Sequence, residues 1–388
     1  MGDTVLALNA GSSSIKFGVY DIDEAGQPVT LARGSLETSK SPRLVAKSAD
    51  GKPFVDRSVH SEGLHAGIDA LLAWLEQAFG KRRLVACGHR IVHGGMSFSD
   101  PVLLTLPVLG ALESLTPLAP LHQPRSIAPI RALTALRPQL KQVGCFDTAF
   151  HHTIEPPASR FALPRKYEER GIRRFGFHGL SYEYIAARLD QQGKGDRRTV
   201  VAHLGNGASL CAMQHGRSLD TTMGFSVLDG LVMGTRCGAI DPGVLLYLLQ
   251  NDGMTPDQLQ SLLYQESGLL GVSGLSGDMR DLERSKDVHA REAMELFVFR
   301  AAREVVALAN SMAGLDCLVF TAGIGENSAA IRKAICDRLS WLGVSIDDAW
   351  NLRSDPVVSH PDSAVEIRVM PTDEEVVIAR HTLAAMGE

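Results

Sequence analysis

Two stretches of this chain share a pattern that few folds can hold. TVLALNA (4–10) runs through Gly11-Ser12-Ser13-Ser14 into IKFGVYD (15–21), and TVVAHL (199–204) runs through Gly205-Asn206-Gly207 into ASLCAMQ (208–214). In each, two apolar, partly alternating runs flank a turn of small residues, the signature of a β-hairpin. Setting one on the other places Gly11 on Gly207 and Ser13 on Ser209, both at an offset of 196 residues. The match is short, yet two glycine-bearing hairpins opening two halves point to an internal duplication. The length of 388 residues agrees, being too great for one ordinary core and suited to two.

The rest of the pattern is α/β. Residues 34–62 read as polar and irregular. A helix is predicted over 65–79, with Ile68, Leu71, Leu72 and Leu75 on one face and Gly80 as its stop. LVACGHRIVHGG (84–95) reads as a buried strand entering a loop, followed by a helix near 125–136 and a strand from Gln142 to Phe146 that ends in Asp147. The run 151–164 holds three prolines and no period, which marks a domain crossover. Beyond it the pattern predicts a strand at 172–177 and a helix at 181–189. Helices follow at 242–250 and 256–264, the latter with Thr255 as N-cap and Pro256 as first residue. A long apolar-faced helix over 289–312 stops at Gly314. A strand from Cys317 to Thr321, a loop from Gly323 to Asn327, a helix over 328–341 and a strand over 365–370 come next. The last helix carries a capping-box pattern, Thr372 with Glu375 three residues on.

Composition excludes several classes. Apolar residues make up 45% and charged residues 21%, a globular profile. The formal net charge of −5 favours no nucleic-acid partner, and the runs Lys81-Arg82-Arg83 and Arg197-Arg198 read as solvated ends. The 6 cysteines form no C-x-x-C pair and follow no metal-ligand spacing, so they read as reduced thiols. Neither a signal-peptide pattern nor a stretch long enough to span a bilayer is seen, and a cytoplasmic protein is expected.

Which loops could hold a nucleotide? The P-loop pattern is missing, and GIGENS (323–328) lacks the third glycine of a dinucleotide fingerprint. What recurs is a small-residue turn after an apolar strand, where backbone N–H groups can approach phosphate oxygens. Taken singly, the turns at 9–14 and 203–209 are as well read as ordinary hairpin turns, with Lys16 a phosphate contact or a surface charge. GIGEN stands before a helix whose N-cap is Asn327 or Ser328, and a helix N-terminus also suits a phosphate. Together the three point to nucleotide binding.

At this point the residues resemble a known family. NAGSSSIKF (9–17), GHRIVHGG (88–95), CFDTAFH (145–151), FGFHG (175–179), HLGNGAS (203–209), MGTRCGAIDPG (233–243), GDMR (277–280), FTAGIGEN (320–327) and TDEE (372–375) occur in the order of the acetate kinases. The resemblance implies the duplicated actin-like ATPase fold, two similar domains each with a mixed sheet flanked by helices, and a nucleotide cleft between them. It implies a domain of 1–149 with 372–388 and a nucleotide-binding and dimerisation domain of 150–371. It further implies ATP/ADP, magnesium or in its place manganese, and a homodimer formed through the C-terminal domain.

Residue by residue, Arg90 and Arg236 match the arginines around the transferred phosphoryl group and the acyl carboxylate. Asp147 matches the active-site aspartate, and His178 the histidine that stabilises the transition state. Asn9 and Glu374 match the metal site. His203, Leu204, Gly205, Asn206 and Gly207, then Asp278, Met279 and Arg280, then Gly323, Ile324, Gly325, Glu326 and Asn327 match nucleotide-binding segments, with Lys16 beside the first turn. Val92, Leu121 and Phe177 lie next to the catalytic positions and are candidates for the acyl pocket.

The implied reaction, transfer of phosphoryl from ATP to acetate, suits these residue types. A carboxylate is ionised at neutral pH, so it needs no general base; catalysis must hold anions together and spread charge. Arginine does this with a planar, permanently charged fork. Asp147 is then better read as orienting an arginine or the metal's water shell. His178 without the family match reads as a structural histidine, and Glu375 is taken up by the capping box. Two positions depart from the family pattern. Cys237 and Ala239 stand where a serine and an acidic residue are expected after Arg236, with Arg236 able to lower the Cys237 thiol pKa. Asp373 stands for an asparagine and adds negative charge beside the metal site. The rival readings are a propionate or other short-chain acyl kinase, since one methylene is worth only about 1–3 kcal/mol, and a nucleotide-gated binding protein of the actin or chaperone type.

Overall fold

The computed structural model describes residues 2–11, 14–37, 42–59 and 63–387. The chain divides into two units, Met1–Ala149 with Asp373–Glu388, and Phe150–Thr372.

The first unit holds β1 (Asp3–Ala10), β2 (Ser14–Ile22), β3 (Pro28–Glu37), β4 (Arg43–Ser48), β5 (Pro53–Ser58), β6 (Arg83–Ile91), β7 (Val102–Leu103) and β8 (Lys141–Phe146). They form one sheet in the order β5-β4-β3-β2-β1-β6-β8-β7. The second unit holds β9 (Thr199–Leu204), β10 (Ala208–Gln214), β11 (Arg217–Thr221), β12 (Cys317–Thr321) and β13 (Glu366–Val369), ordered β11-β10-β9-β12-β13.

The duplication is visible in the pairing. In the first sheet β3, β2 and β1 are antiparallel neighbours, while β1, β6 and β8 run parallel. In the second, β11, β10 and β9 are antiparallel, and β9, β12 and β13 parallel. The first strands begin at Asp3 and Thr199, the same 196-residue offset that aligns the hairpin glycines. The hairpins form because apolar side chains of both strands are covered: Leu6, Leu8, Phe17 and Val19 pack under the helix Leu64–Phe79, against Ile68, Leu71, Leu72 and Trp74. In the second unit Val201, Cys211, Met213 and Val319 pack against Tyr182, Ile185 and Leu189 of the helix Gly179–Gln191. Each such large apolar side chain, fully buried, contributes about 1.5–3 kcal/mol.

Several expectations need correction. Residues 34–62 are not irregular: they complete β3 and supply β4 and β5. Their polarity reflects the sheet margin, since β5 is held by its ladder to β4 and by Arg43 reaching Asp56 at 2.7 Å, while its side chains stay mostly exposed. Residues 12–13, 38–41 and 60–62, including the turn serines Ser12 and Ser13, lie outside the described residues. The strand expected over 172–177 is absent. Gly176 and His178 have φ of 75° and 60°, which breaks an extended run, and the N–H groups of Phe175 and Gly176 both donate to the Gly224 carbonyl. The helix expected over 256–264 ends at Ser261 and continues as a π-turn over Leu262–Glu266, although its Thr255 capping box is present. Gly323 to Asn327 is no loop but lies within a short helix, Ala322–Asn327. The last helix, Glu374–Met386, is capped by Asp373, whose side chain accepts from the Val376 N–H at 3.1 Å; Thr372 and Glu375 form no capping box.

Candidate active site

In the first unit three parallel strands deliver their polar residues to one end. Asn9 sits near the C-terminus of β1, Arg90 near that of β6, and Asp147 follows β8, its N–H bonded to the Ile91 carbonyl at 3.0 Å. The helix Glu374–Met386 packs on β1, β6 and β8 and brings Glu374 and Glu375 to the same end. Ends of parallel strands are where α/β sheets place their chemistry.

The side chains there are tightly coupled. Arg90 Nε donates to both Asp147 oxygens at 2.9 and 3.0 Å, and a second guanidinium nitrogen donates to Oδ2 at 2.5 Å. Its third nitrogen reaches Asn9 Oδ1 at 3.0 Å, and Glu374 lies 3.9 Å from Nε. The Asn9 amide donates to Glu374 at 2.8 Å and to Glu375 at 2.9 Å. Burial alone would pull the Arg90 pKa down. The charges of Asp147, Glu374 and Glu375 outweigh it and hold the guanidinium charged. Burial and then the like charge of Glu374 push Glu375 above its ordinary 4.5. Glu375 is therefore a partner in this cluster, which a sequence reading that assigned it to a cap could not find. Asp373 does not leave a bare charge here: it caps the helix and pairs with Arg33.

Val92 is buried, with its N–H toward Ser126 Oγ at 3.4 Å; Leu121 is half-buried. Lys16 lies on β2 directly across from Asn9, with its side chain exposed on the sheet face that also carries Arg33 and Lys47.

In the second unit His178 adopts a left-handed conformation (φ 60°, ψ 25°) at the start of the helix Gly179–Gln191. Its ring stacks on His203 with centroids 4.2 Å apart, and its Nδ1 meets Ser209 Oγ at 2.8 Å. Ser209 in turn contacts the Tyr182 hydroxyl at 2.5 Å, and His203 Nδ1 contacts Ser181 Oγ at 2.8 Å. Phe177 is buried and acts through its backbone, its carbonyl meeting His151 Nε2 at 2.9 Å. Burial lowers His151 to about 4, so that ring is neutral.

Arg236 donates to the Val227 carbonyl at 2.7 Å. Its guanidinium lies so close to Gly207 that a Cβ there would collide with it, and that Cβ would stand 3.4 Å from His178 Nε2. Gly207, Arg236 and His178 thus converge on one point. The neighbouring Cys237 thiol is raised by burial, an effect that outweighs the lowering by Arg236, so it is a packed thiol and not an activated one. Nothing in the structure explains Ala239.

A cavity of about 610 Å³ in this unit gathers the three glycine-bearing segments: Gly205 and Asn206, Gly277 to Arg280, and Gly323, Ile324, Asn327 with Ser328. Gly323 carries no neighbour where a Cβ would stand, and Gly234 is so close to the Asn206 side chain that a Cβ would overlap it. Some predicted contacts do not line the cavity. Glu326 turns back, accepting from the Ala322 N–H at 2.8 Å, and Gly325 is buried. His203 and Leu204 are buried in β9. Met279 and Arg280 do line it, Met279 from a buried position at the start of its helix. Arg280 is exposed and paired with Asp278 at 2.5 Å. Arg332, unremarked in the sequence, is fully buried and donates to the carbonyls of Gly325 (3.0 Å), Glu326 (2.9 Å) and Asn351 (2.6 Å), fixing the GIGEN helix from behind.

Comparison with known proteins gives one answer. The profile of the acetokinase family matches residues 4–380. An acetate kinase of Rhodopseudomonas palustris is 50% identical over 389 residues, covering 98% of each chain. An acetate kinase of Rhizobium meliloti is 45% identical over 394 residues, covering 99% of each. Among solved structures, a propionate kinase from Francisella tularensis superposes with a TM-score of 0.91 at 37% identity, covering 98% of this chain and 99% of that one. The acetate kinase of Porphyromonas gingivalis superposes at 0.86 with 35% identity, covering 99% of this chain and 100% of that one.

Proposed function

This chain belongs to the acetokinase family, and from that premise we propose how its residues carry out phosphoryl transfer from ATP to acetate, giving acetyl phosphate and ADP reversibly. The observation that carries the reading is the Arg90–Asp147 pair. Both Asp147 oxygens are engaged by one guanidinium, at 2.5–3.0 Å. Such an aspartate orients an arginine. It is not set up to take a proton from an alcohol, which a sugar acceptor would require, whereas acetate arrives ionised.

Arg90, held by Asp147 and Asn9, binds the carboxylate of the acyl substrate and the incoming phosphoryl oxygens. Arg236 and His178, meeting at Gly207, stabilise charge on the phosphoryl group as it moves. The cavity at Asn206, Asp278 and Gly323 takes the adenosine part of the nucleotide, and the N–H groups of the Gly205–Gly207 turn face its phosphates. Val92 lies beside Arg90 and bounds the acyl end; Phe177, covered by its own unit, supports His178 and gives no pocket surface.

The Asn9, Glu374 and Glu375 cluster fits a magnesium ion. Its donors are hard oxygens, and two carboxylates crowd one amide with Glu375 raised by burial, a strain that a dication relieves. No group of three or more His, Cys, Asp or Glu side chains stands ready for a metal among the described residues. When bound, the ion would neutralise phosphate charge; the chain's own residues orient the rest.

A homodimer is proposed through the second unit. The helix Pro242–Gln250 is almost wholly apolar, yet none of its residues is buried, and Leu246 and Tyr247 are 55% and 58% exposed. Surfaces of that kind are covered in assemblies. No helix of the described residues is long and apolar enough to cross a membrane, and we place the enzyme in the cytoplasm.

The function is tested by hydroxamate trapping with ATP and magnesium over acetate, propionate and butyrate. Acetyl hydroxamate formed at the highest kcat/KM supports acetate as the acceptor. A preference for propionate would move the assignment to the propionate kinases, the activity of the Francisella structure.

A further inference from the structure

We infer that Tyr182 and Ser209 fix the tautomer of His178, so that its Nε2 carries the proton and presents a neutral N–H donor beside Arg236. This rests on the acetate-kinase reading and assigns two positioning residues to the same site.

Tyr182 and Ser209 are both fully buried, and burial holds the Tyr182 phenol well above its ordinary pKa of 10, so it stays protonated. Among the described residues the Tyr182 hydroxyl meets one partner, Ser209 Oγ at 2.5 Å, and Ser209 Oγ meets two, Tyr182 and His178 Nδ1 at 2.8 Å. Each hydroxyl has one hydrogen to give.

Three arrangements are available. If Tyr182 donates to Ser209 and Ser209 donates to His178 Nδ1, both hydrogens are used and Nδ1 is the acceptor. If His178 Nδ1–H donates to Ser209 and Ser209 donates to Tyr182, the phenol hydrogen is left unpaired in a dry interior. If Tyr182 and His178 both donate to Ser209, the serine hydrogen is stranded instead. An unpaired buried donor keeps its full desolvation penalty, so the first arrangement prevails. It leaves the ring proton on Nε2.

That proton is on the useful side. Nε2 stands 3.4 Å from the point where a Gly207 Cβ would be, the place that the Arg236 guanidinium also approaches. A half-turn of the ring would keep its stack on His203 but set a carbon against Ser209 Oγ, so the 2.8 Å contact to Nδ1 holds the orientation. A histidine donor at a phosphoryl site works in whichever tautomer its outer partner selects. Here the partner is a serine that is itself set by a tyrosine. Ser209 aligns in the sequence with Ser13 at the 196-residue offset.

The test is the tautomer itself, read by nitrogen-15 NMR on enzyme with labelled histidine at alkaline pH, His178 being assigned from a His178→Gln sample. The parent is expected to show His178 protonated at Nε2 and bare at Nδ1. In Ser209→Ala, Nδ1 loses the hydroxyl that donates to it, and a population with Nδ1–H is expected. With it, kcat should fall about tenfold while KM for acetate and ATP stays within about twofold, the pattern of a lost transition-state contact. Tyr182→Phe provides the second variant: Ser209 then keeps Nδ1 as its one acceptor, and the parent's tautomer is expected to persist. A parent His178 protonated at Nδ1 overturns the inference. So does a folded Ser209→Ala enzyme that keeps either the parent's tautomer or its kcat, or a folded Tyr182→Phe enzyme whose His178 moves its proton to Nδ1. The NMR reading needs no substrate: missing acetate-dependent ADP release in the parent would refute the acetate-kinase reading, while the tautomer would still be decided.

Discussion

Replacing Asp147 by asparagine keeps shape and removes one charge from the Arg90 clamp. In the parent, Arg90 makes three contacts to this carboxylate at 2.5–3.0 Å, and Asp147 is 1% exposed, so water cannot substitute. Asparagine retains one acceptor oxygen and turns an NH2 group toward the guanidinium, donor against donor. Losing one charge-assisted hydrogen bond is worth about 1.5–3 kcal/mol. Breaking a buried ion pair from one side costs about 3–5 kcal/mol. Asn9 at 3.0 Å and Glu374 at 3.9 Å still hold Arg90 and keep the loss toward the lower figures. A net loss of about 2–3 kcal/mol corresponds to roughly 30- to 150-fold in rate. The assay is acetate-dependent ADP release followed between about pH 6 and 9, where a catalytic base would leave its own limb in the profile. The expected result is a fall of that size in kcat/KM for acetate, with the variant's pH profile parallel to the parent's. Activity within threefold of the parent would refute the orienting role, and a pH limb that disappears with Asp147 would make it a base after all.

Other outcomes follow from neighbouring contacts. Gly207→Ala places a methyl group against the Arg236 guanidinium, so kcat should drop about ten- to a hundredfold with thermal stability little changed; full activity would mean that Arg236 does not work from this position. Glu375→Gln removes one of two carboxylates around Asn9, and a magnesium titration of activity should show half-saturation raised about tenfold; an unchanged titration would take Glu375 out of the metal site. His89 and His151 are both lowered by burial from 6.5 to about 4. Their contribution is full above pH 6.5, where both states are neutral, and is lost as pH falls from 6.5 to 4 because only the unfolded chain takes up protons. Each shift is worth about 3 kcal/mol, and melting temperatures that stay flat over that window would contradict it.

Much of the fold was legible because its strongest signals are local. The hairpins at 4–21 and 199–214 announce themselves through paired apolar runs around glycine, and the repeated strand order follows. β4 and β5 were hidden because they are margin strands: β4 is short and buries only Leu44 and Ala46, β5 buries none of its residues, and strands held mainly by their ladders carry little hydrophobic period. The apolar Phe175–Phe177 run misled in the opposite direction, since left-handed backbone at Gly176 and His178 is invisible to periodicity.

At the site, residue types suggested candidate groups more readily than how they connect. Arg90, Asp147, Arg236 and His178 could be named from motifs. That Asp147 spends both oxygens on Arg90 emerges only when β6 and β8 lie side by side. Glu375 was misassigned because the pattern of Thr372 and Glu375 mimics a capping box, while Asp373 wins the cap. Ser209, Tyr182 and Arg332 carry no motif of their own; their roles come from burial beside a functional group. Cys237 shows burial prevailing over a neighbouring positive charge.

The reaction makes an acetate oxygen the nucleophile toward the terminal phosphoryl group of ATP, so that oxygen becomes the bridge of acetyl phosphate. Phosphorus-31 NMR of the reaction run with oxygen-18 acetate tests it. The expected result is an acetyl phosphate signal displaced by one oxygen-18 bonded to phosphorus, growing in step with ADP. Acetyl phosphate without that displacement, or ADP accumulating with no acyl phosphate, would contradict it.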